Sequence, residues 1–466
     1  MVQTICKSYA NFPRDPSLKR NDILTLTIDR LSPDGYGISE AEGRAIKVPG
    51  AIPGDEVSVR VTSVKRHTAL VRLEEVLSGT LERREFFCPH FGICGGCRWQ
   101  DIPYPVQCCL KAQMVKAAFN AIPGIGPVEE IPFTPSPDEF YYRNKMEFSF
   151  DSPPGSGLTM LGLHEAGKFD RVFDVHSCRL HSELSNKAIE VVRSFAEERK
   201  LSVYGLKSHG GLLRYLVFRD SKNTGKVMVN LVTSGEEFEQ AEEFAERITG
   251  AFPEVSSLLL SINRSPGSTA AGQERRTLRG ADTISERIGE FTFSISPDAF
   301  FQTNTLQAEN LYNAIREFSG LTGEENLLDL YCGTGTIGIY LAGRAKTVTG
   351  VEISKDAVRD AHANAEINGA ENCTFIAGAA EDVLDERGEN FQVVVCDPPR
   401  AGIHPRALHS LVRMRIPRMV YVSCNIKTLL GDLEMLALAG YRLKNIRALD
   451  MSPHTPHVET AALLEI

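Results

Sequence analysis

Hydrophobic and polar positions alternate with a period of two through residues 20–80, and the period lengthens in several segments beyond residue 100. Ile23-Leu24-Thr25-Leu26-Thr27-Ile28-Asp29 and Glu56-Val57-Ser58-Val59-Arg60-Val61-Thr62 alternate, and Thr68-Ala69-Leu70-Val71-Arg72-Leu73 follows. Pro33-Asp34-Gly35 and the run from Val48 to Gly54 supply turns between them. Five short strands in about 60 residues predict a small antiparallel β-barrel of the OB type over residues 18–80, suited to RNA binding or to capping a neighbour. Residues 104–121 are predicted helical, with Val106, Leu110, Met114, Val115 and Ala118 on one apolar stripe. Cys108 and Cys109 fall on that helix and read as packing groups rather than ligands. Strand-like stretches at 145–150 and 227–232 mix with helical ones at 184–199 and 238–249. They predict a central α+β domain over residues 85–290, its 100–125 helix a candidate to pack on the C-terminal domain.

From residue 295 to 466 strands and helices alternate. Asn326-Leu327-Leu328-Asp329-Leu330-Tyr331 runs into Cys332-Gly333-Thr334-Gly335-Thr336-Ile337-Gly338. Strand-like segments ending at Glu352, Asp397 and Cys424 follow, with a helix over 356–368 among them. This alternation predicts a mostly parallel, Rossmann-like α/β domain with helices on both faces.

A chain of 466 residues suggests roughly three domains. No run of about 18 apolar residues exists, so no membrane span is expected. Met1-Val2-Gln3-Thr4-Ile5-Cys6-Lys7 has no apolar core of a secretory signal, so the cytoplasm is expected. Eleven cysteines in that compartment point to metal binding or catalysis rather than to disulfides. The net charge of −9 argues against a nucleic-acid coat without excluding a local patch.

Gly333-x-Gly335-x-x-Gly338 matches a dinucleotide fingerprint, and Glu352, 19 residues after Gly333, is placed to accept hydrogen bonds from ribose hydroxyls. That logic serves NAD and S-adenosylmethionine equally. Asp397-Pro398-Pro399 makes a stiff loop that lacks two N–H donors. In enzymes that methylate an exocyclic amine, the residue after such prolines is usually an aromatic that stacks on the base; Arg400 stands there instead. Cys424, in Tyr421-Val422-Ser423-Cys424-Asn425 at the end of a predicted strand, reads as a nucleophile or as a core thiol. Methylation at carbon 5 of a pyrimidine needs a thiolate to add at carbon 6 and a base to remove the carbon-5 proton. Glu459, in His454-Thr455-Pro456-His457-Val458-Glu459, is the candidate base, against the plainer reading of a solvated carboxylate. His454 and His457 are placed to orient or stack on neighbours.

These motifs resemble a known family, the bacterial 23S rRNA uridine-C5 methyltransferases with a TRAM domain and an iron–sulfur cluster. The resemblance runs from about residue 18 to 466 and rests on the motifs above. It rests also on Phe91-Gly92-Ile93-Cys94-Gly95-Gly96-Cys97-Arg98-Trp99-Gln100, on Ser296-Pro297 and on Phe300-Phe301-Gln302-x-Asn304. It implies that Cys424 is the nucleophile and Glu459 the base. It implies S-adenosylmethionine contacts at Gln302, Tyr331, Glu352 and Asp397, and a TRAM barrel that binds RNA. Ile426 and Ser452 depart from the usual residues, and Ser452 bears on the packing around Glu459.

Cys88-x5-Cys94-x2-Cys97 supplies three thiolates, and the family pattern supplies Cys178 as the fourth. Four thiolates suit a 4Fe–4S cluster or tetrahedral zinc. Spacing alone favours zinc slightly, whereas the resemblance implies a structural iron–sulfur cluster with no redox step. The implied partner is structured RNA, 23S rRNA first and tRNA as the alternative, with the target base flipped from its stack. No motif encodes the oligomeric state, and a monomer is expected by default. Methylation of an exocyclic amine, a non-catalytic iron–sulfur RNA-binding protein and an NAD enzyme are the competing readings.

Overall fold

Val57, Val59 and Val61 alternate with more exposed neighbours, and all three are fully buried. That alternation puts one face of each N-terminal strand inward. The computed structural model describes residues 18–125, 127–153, 157–168, 170–386 and 390–466; Met1 to Lys7, read above for a signal, lie outside the described residues. The chain divides after Glu82 into two compact units.

In the first unit, β1 (Ile23–Thr27), β2 (Arg30–Leu31), β3 (Gly37–Ala41), β4 (Arg44–Val48), β5 (Glu56–Val64) and β6 (Thr68–Ser78) form one sheet in the order β1-β5-β6-β4-β3-β2. Leu26, Ile46, Val48, Ala69 and Val71 join the three valines in its core. The sheet has six strands rather than five, and it is not wholly antiparallel: β4 and β6 run parallel, with Ile46 opposite Ala69. Alternation decides which face is buried, but it does not decide the direction of the neighbouring strand.

The second unit begins with α1 (Tyr104–Phe119) and β7 (Phe133–Thr134). A seven-stranded sheet follows, built from β8 (Lys145–Asp151), β9 (Met160–His164), β10 (Val172–Asp174), β11 (Leu213–Asp220), β12 (Val227–Thr233), β13 (Val255–Ile262) and β14 (Glu274–Gly280). Its order is β10-β9-β8-β11-β12-β13-β14. Helices α2 (Glu183–Glu198) and α3 (Ala241–Ala251) bury Ile189, Val192, Phe195 and Phe244 in a core shared with Phe148, Phe218 and Val229 of the sheet. A hairpin of β15 (Ile284–Ile288) and β16 (Phe291–Ile295) leads into α4 (Thr305–Ser319).

The remaining elements alternate. They are β17 (Asn326–Leu330), α5 (Thr336–Ala342), β18 (Thr347–Glu352), α6 (Lys355–Ile367), β19 (Cys373–Ala377), α7 (Ala380–Glu386), β20 (Val393–Cys396), α8 (Pro405–Met414), β21 (Arg418–Ser423) and α9 (Ile426–Leu438), closed by β22 (Arg442–Leu449) and β23 (Glu459–Glu465). The sheet order is β19-β18-β17-β20-β21-β23-β22-β7. The first five strands are parallel, as the alternation predicts. β23 is inserted antiparallel between β21 and β22. At the far edge β7, from upstream of the central sheet, adds a parallel strand to β22.

Helix α1 carries two buried polar residues, Gln107 and Lys111, beside Leu110, Met114, Val115 and Ala118. Lys111 Nζ donates to Asp450 Oδ1 at 2.7 Å, and neither side chain is exposed. Cys109 is exposed, so it does not pack as expected; its neighbour Cys108 is half-buried.

Candidate active site

Parallel strands bring their carboxyl ends to one edge, and the residues just beyond them face a common crevice. Here Tyr331, Glu352, Asp397 and Cys424 leave the ends of β17, β18, β20 and β21. With Gln302, from the loop before α4, and Glu459, from the start of β23, they line one cavity of about 690 Å³. All six residues singled out by sequence therefore share a single cavity. Glu459 arrives there because β23 is antiparallel to β21: Ser423 stands opposite Thr460, which sets the next pair, Cys424 and Glu459, at the same edge.

The turn after β17 is built by backbone constraints. Tyr331 has φ of 65°, an unusual value for a large side chain, and its hydroxyl accepts the His404 amide at 3.2 Å. Gly335 has φ of 79°, and a Cβ there would stand 2.8 Å from the Phe375 ring. Gly338 lets α5 approach β17 so closely that its amide donates to Asp329 Oδ2 at 2.9 Å. Glu352 is fixed by two amides, Gly333 at 3.2 Å and Ser354 at 2.8 Å. Gln302 donates from Nε2 to Asp397 Oδ2 at 3.1 Å. The loop after Asp397 is pinned through Asp432, whose Oδ2 accepts the Ile403 amide and the Tyr421 hydroxyl at 2.9 and 2.6 Å.

Burial dominates the electrostatics. It pushes Asp397 up to about 7, against the opposing hydrogen bond from Gln302. It also pushes Glu459 well above the usual carboxylate range, with the Asp397 charge acting in the same direction and Arg400 against it. The Cys424 thiol is raised to about 11 by burial first and then by the charge of Glu459. A thiol and a carboxyl group that each favour the neutral form thus face one another beside one arginine.

The four cysteines also line one cavity. Cys88, Cys94, Cys97 and Cys178 surround a space of about 820 Å³ between the knuckle and the start of the central sheet. The Gly96 amide lies 3.4 Å from Cys94 Sγ, and the Leu180 and His181 amides donate to Cys178. Among the described residues, no three His, Cys, Asp or Glu side chains are grouped to hold a metal ion. Among the described residues the four thiols line one cavity without being grouped as a metal site, so neither the cluster nor the zinc expected from the sequence is shown by their arrangement.

Sequence reasoning missed the residues that hold the site. Asn144 Nδ2 donates to the Gln302 carbonyl at 2.7 Å, and buried Arg219 bonds the carbonyls of Pro297 and Ala299. Gln107 and Lys111 hold the segment before Glu459. The His454 amide donates to Gln107 Oε1 at 2.8 Å, and Lys111 also donates to the Ser452 carbonyl at 3.1 Å. The buried His454 ring stacks on Phe140 with centroids 4.9 Å apart. A polar residue within a helical stripe of apolar ones was the available signal at Gln107 and Lys111.

Known proteins share the sequence and fold of this chain. Residues 273–466 match the family model for tRNA (uracil-5-)-methyltransferases, and residues 18–73 match the TRAM domain. An RNA methyltransferase of Chlorobaculum tepidum is 37% identical over 96% of this chain and 97% of its own length. One from Caldanaerobacter subterraneus is also 37% identical, over 96% of this chain and its whole length. The crystal structure of Pyrococcus abyssi tRNA (uracil-54, C5)-methyltransferase in complex with S-adenosyl-L-homocysteine superposes with a TM-score of 0.76 at 33% identity, covering 95% of this chain and 100% of that one. With a TRAM domain ahead of a doubly wound sheet, and a thiol and a carboxyl group at one edge of that sheet, the chain belongs to the RNA (uracil-5-)-methyltransferase family.

Proposed function

We propose that the chain methylates carbon 5 of a uridine in structured RNA through a covalent adduct at Cys424, with a uridine of 23S rRNA as target. The observation that carries this reading is the cavity shared by Cys424, Glu459, Asp397 and Gln302. Tyr331, Glu352, Asp397 and Gln302 are the residues that would hold S-adenosylmethionine. The amides of Gly333 and Ser354 fix the Glu352 carboxylate, which would accept hydrogen bonds from the ribose hydroxyls. When bound, the cofactor supplies an electrophilic methyl group that carbon 5 takes, leaving neutral S-adenosylhomocysteine.

The Cys424 thiolate donates a sulfur electron pair to carbon 6, and the electrons of the 5,6 double bond move towards the 4-carbonyl oxygen. After methylation, the Glu459 carboxylate removes the carbon-5 proton. The electrons of that C–H bond re-form the double bond, the C6–S bond breaks, and the thiolate leaves. Burial suits Glu459 to this role, because a carboxylate raised well above its usual range is a stronger base. Glu459→Gln is expected to accumulate a protein–RNA adduct stable to denaturing electrophoresis, and Cys424→Ala to form none. Normal turnover by Cys424→Ala would sink the mechanism.

We propose that the four cysteines would hold a 4Fe–4S cluster: they line one cavity, and the sulfurs of Cys94 and Cys178 receive backbone N–H bonds, as thiolate ligands of a cluster do. Such a cluster would tie the knuckle to the loop around Cys178, and no step of methyl transfer runs through it. A tRNA uridine is the second reading, favoured by the resemblance to the Pyrococcus abyssi enzyme. Mapping 5-methyluridine in 23S rRNA and tRNA incubated with the protein separates the two. Label confined to tRNA would overturn the ribosomal target.

A further inference from the structure

Asn144 lies immediately before β8, far in sequence from the loop that precedes α4, yet it bonds that loop at three points. Its main-chain amide donates to the Thr303 carbonyl at 2.8 Å. Its side-chain Nδ2 donates to the Gln302 carbonyl at 2.7 Å and to Thr305 Oγ1 at 2.9 Å. We propose that Asn144 is a positioning residue for the cofactor: it sets the Gln302 main chain so that the Gln302 side chain reaches Asp397, and Glu286 anchors it through the Thr305 hydroxyl. The proposal rests on reading Gln302 and Asp397 as cofactor-holding residues.

The bonds form a chain with one direction. The Asn144 carboxamide has two N–H donors, and both are used. The Thr305 hydroxyl accepts one of them, which leaves its own hydrogen for Glu286 Oε2, 3.0 Å away. Glu286, in β15, is fully buried, and a buried carboxylate needs donors. It accepts Ser221 Oγ at 2.8 Å and the amides of Lys222 and Asn223 at 2.7 and 3.0 Å, so the turn between β11 and β12 holds the acceptor end of the chain. Asn144 itself is fixed by its carbonyl, which accepts the Asp220 amide at the end of β11 at 2.8 Å. Asn144, Thr305 and Glu286 are buried, and none of them lines the cofactor cavity. Their route to the cofactor is Gln302, which does line it and donates to Asp397 Oδ2 at 3.1 Å.

That bond gives the positioning a signature. A donor on a carboxylate favours its ionised form. Burial pushes Asp397 up to about 7, and the Gln302 bond opposes the rise. With Gln302 released, Asp397 climbs further, and a higher pH is needed before it is ionised for a cationic cofactor. The other titratable groups that feel the Asp397 charge are Cys396 beside it, Asp329 from β17, Tyr312 from α4, Cys424 beyond β21 and Glu459 from β23. Arg400 lines the same cavity. Substitutions at 144 and 305 leave all of these groups in place.

The test is calorimetric titration of the full-length protein with S-adenosylmethionine, without RNA, from about pH 6 to about pH 9. In the parent, affinity should rise through about pH 7. Asn144→Leu, similar in shape but without the two donors, is expected to move that midpoint up by about one pH unit, which weakens binding about fivefold at neutrality. Thr305→Val keeps the side-chain shape and breaks the link to Glu286, so it should move the midpoint the same way by less. Thr305→Ser should restore it. A purely structural role would weaken binding at every pH and leave the midpoint where it is. That result in folded Asn144→Leu, or in Thr305→Val where Asn144→Leu does not fold, would overturn the proposal. Gln302→Ala should show the full shift. Unchanged affinity in both Gln302→Ala and Asp397→Asn is a separate result, which would overturn the cofactor reading itself and the proposal with it.

Discussion

Lys111→Met removes the cation from an ion pair in which neither side chain is exposed. The ammonium bridges Asp450 Oδ1 at 2.7 Å and the Ser452 carbonyl at 3.1 Å. Without it, Asp450 retains one hydrogen bond, from the Ser452 amide at 3.0 Å, while its Oδ2 has no partner. Deleting one member of a buried pair costs about 3–5 kcal/mol, because the remaining charge is left in a medium that solvates it poorly. Unfolding entropy is ~2.1 cal/mol/K per residue, so a unit spanning residues 83–466 carries about 0.8 kcal/mol/K. The quotient is a fall in Tm of about 4–6 °C, read by calorimetry or by circular dichroism. Lys111→Met combined with Asp450→Asn should recover more than half of it, since the unpaired charge is gone and the Ser452 amide keeps an acceptor. A single variant that melts within about 1 °C of the parent, or a double variant no better than the single, would refute this account of the pair.

The other expectations concern ligands. Free Asp397 is pushed up to about 7 and so binds a proton near neutrality, whereas a cationic cofactor favours its ionised form. S-adenosylmethionine affinity should therefore rise as pH passes upward through about 7 and then level off, with proton release visible by calorimetry in buffers of different ionisation heat; a slope unchanged by Asp397→Asn would count against it. Protein purified without air should contain iron and acid-labile sulfide in equal amounts, and Cys178→Ser should lose both; zinc in their place would exclude the cluster.

Legibility in the sequence followed the range of each signal. The strand ends at Tyr331, Glu352, Asp397 and Cys424 were readable because each is a local event, an apolar run stopped by a turn. A parallel sheet then brings such ends together without further information. Glu459 was readable as a motif, but its nearness to Cys424 depends on β23 running antiparallel beside β21, a pairing across dozens of residues that periodicity does not encode. For the same reason the parallel β4–β6 pair and the addition of β7 to the C-terminal sheet escaped notice. Arg400 was noticed only for not being aromatic. Its charge opposes the upward shifts of Cys424 and Glu459, which other elements supply.

In the proposed reaction, this topology gives the two halves separate supports. The residues that would hold the cofactor and the proposed nucleophile follow parallel strands, whereas Glu459 reaches the same edge at the start of an antiparallel strand. The connection that brings it here, residues 450–458, is held mainly from outside the methyltransferase sheet. The Arg98 and Trp99 amides donate to the His454 carbonyl at 2.9 and 3.0 Å, immediately after the Cys97 ligand candidate. Gln107 and Lys111 of α1 hold His454, Asp450 and Ser452, and the Tyr142 hydroxyl donates to the Pro453 carbonyl at 3.2 Å. None of these residues lines the cavity that would take the cofactor. Loosening this support should therefore act on proton removal more than on cofactor binding. Lys111→Met should accumulate the Cys424 adduct in a weaker form of the Glu459→Gln behaviour, with cofactor affinity close to that of the parent. Equal losses of affinity and turnover would show instead that the segment supports the whole cavity.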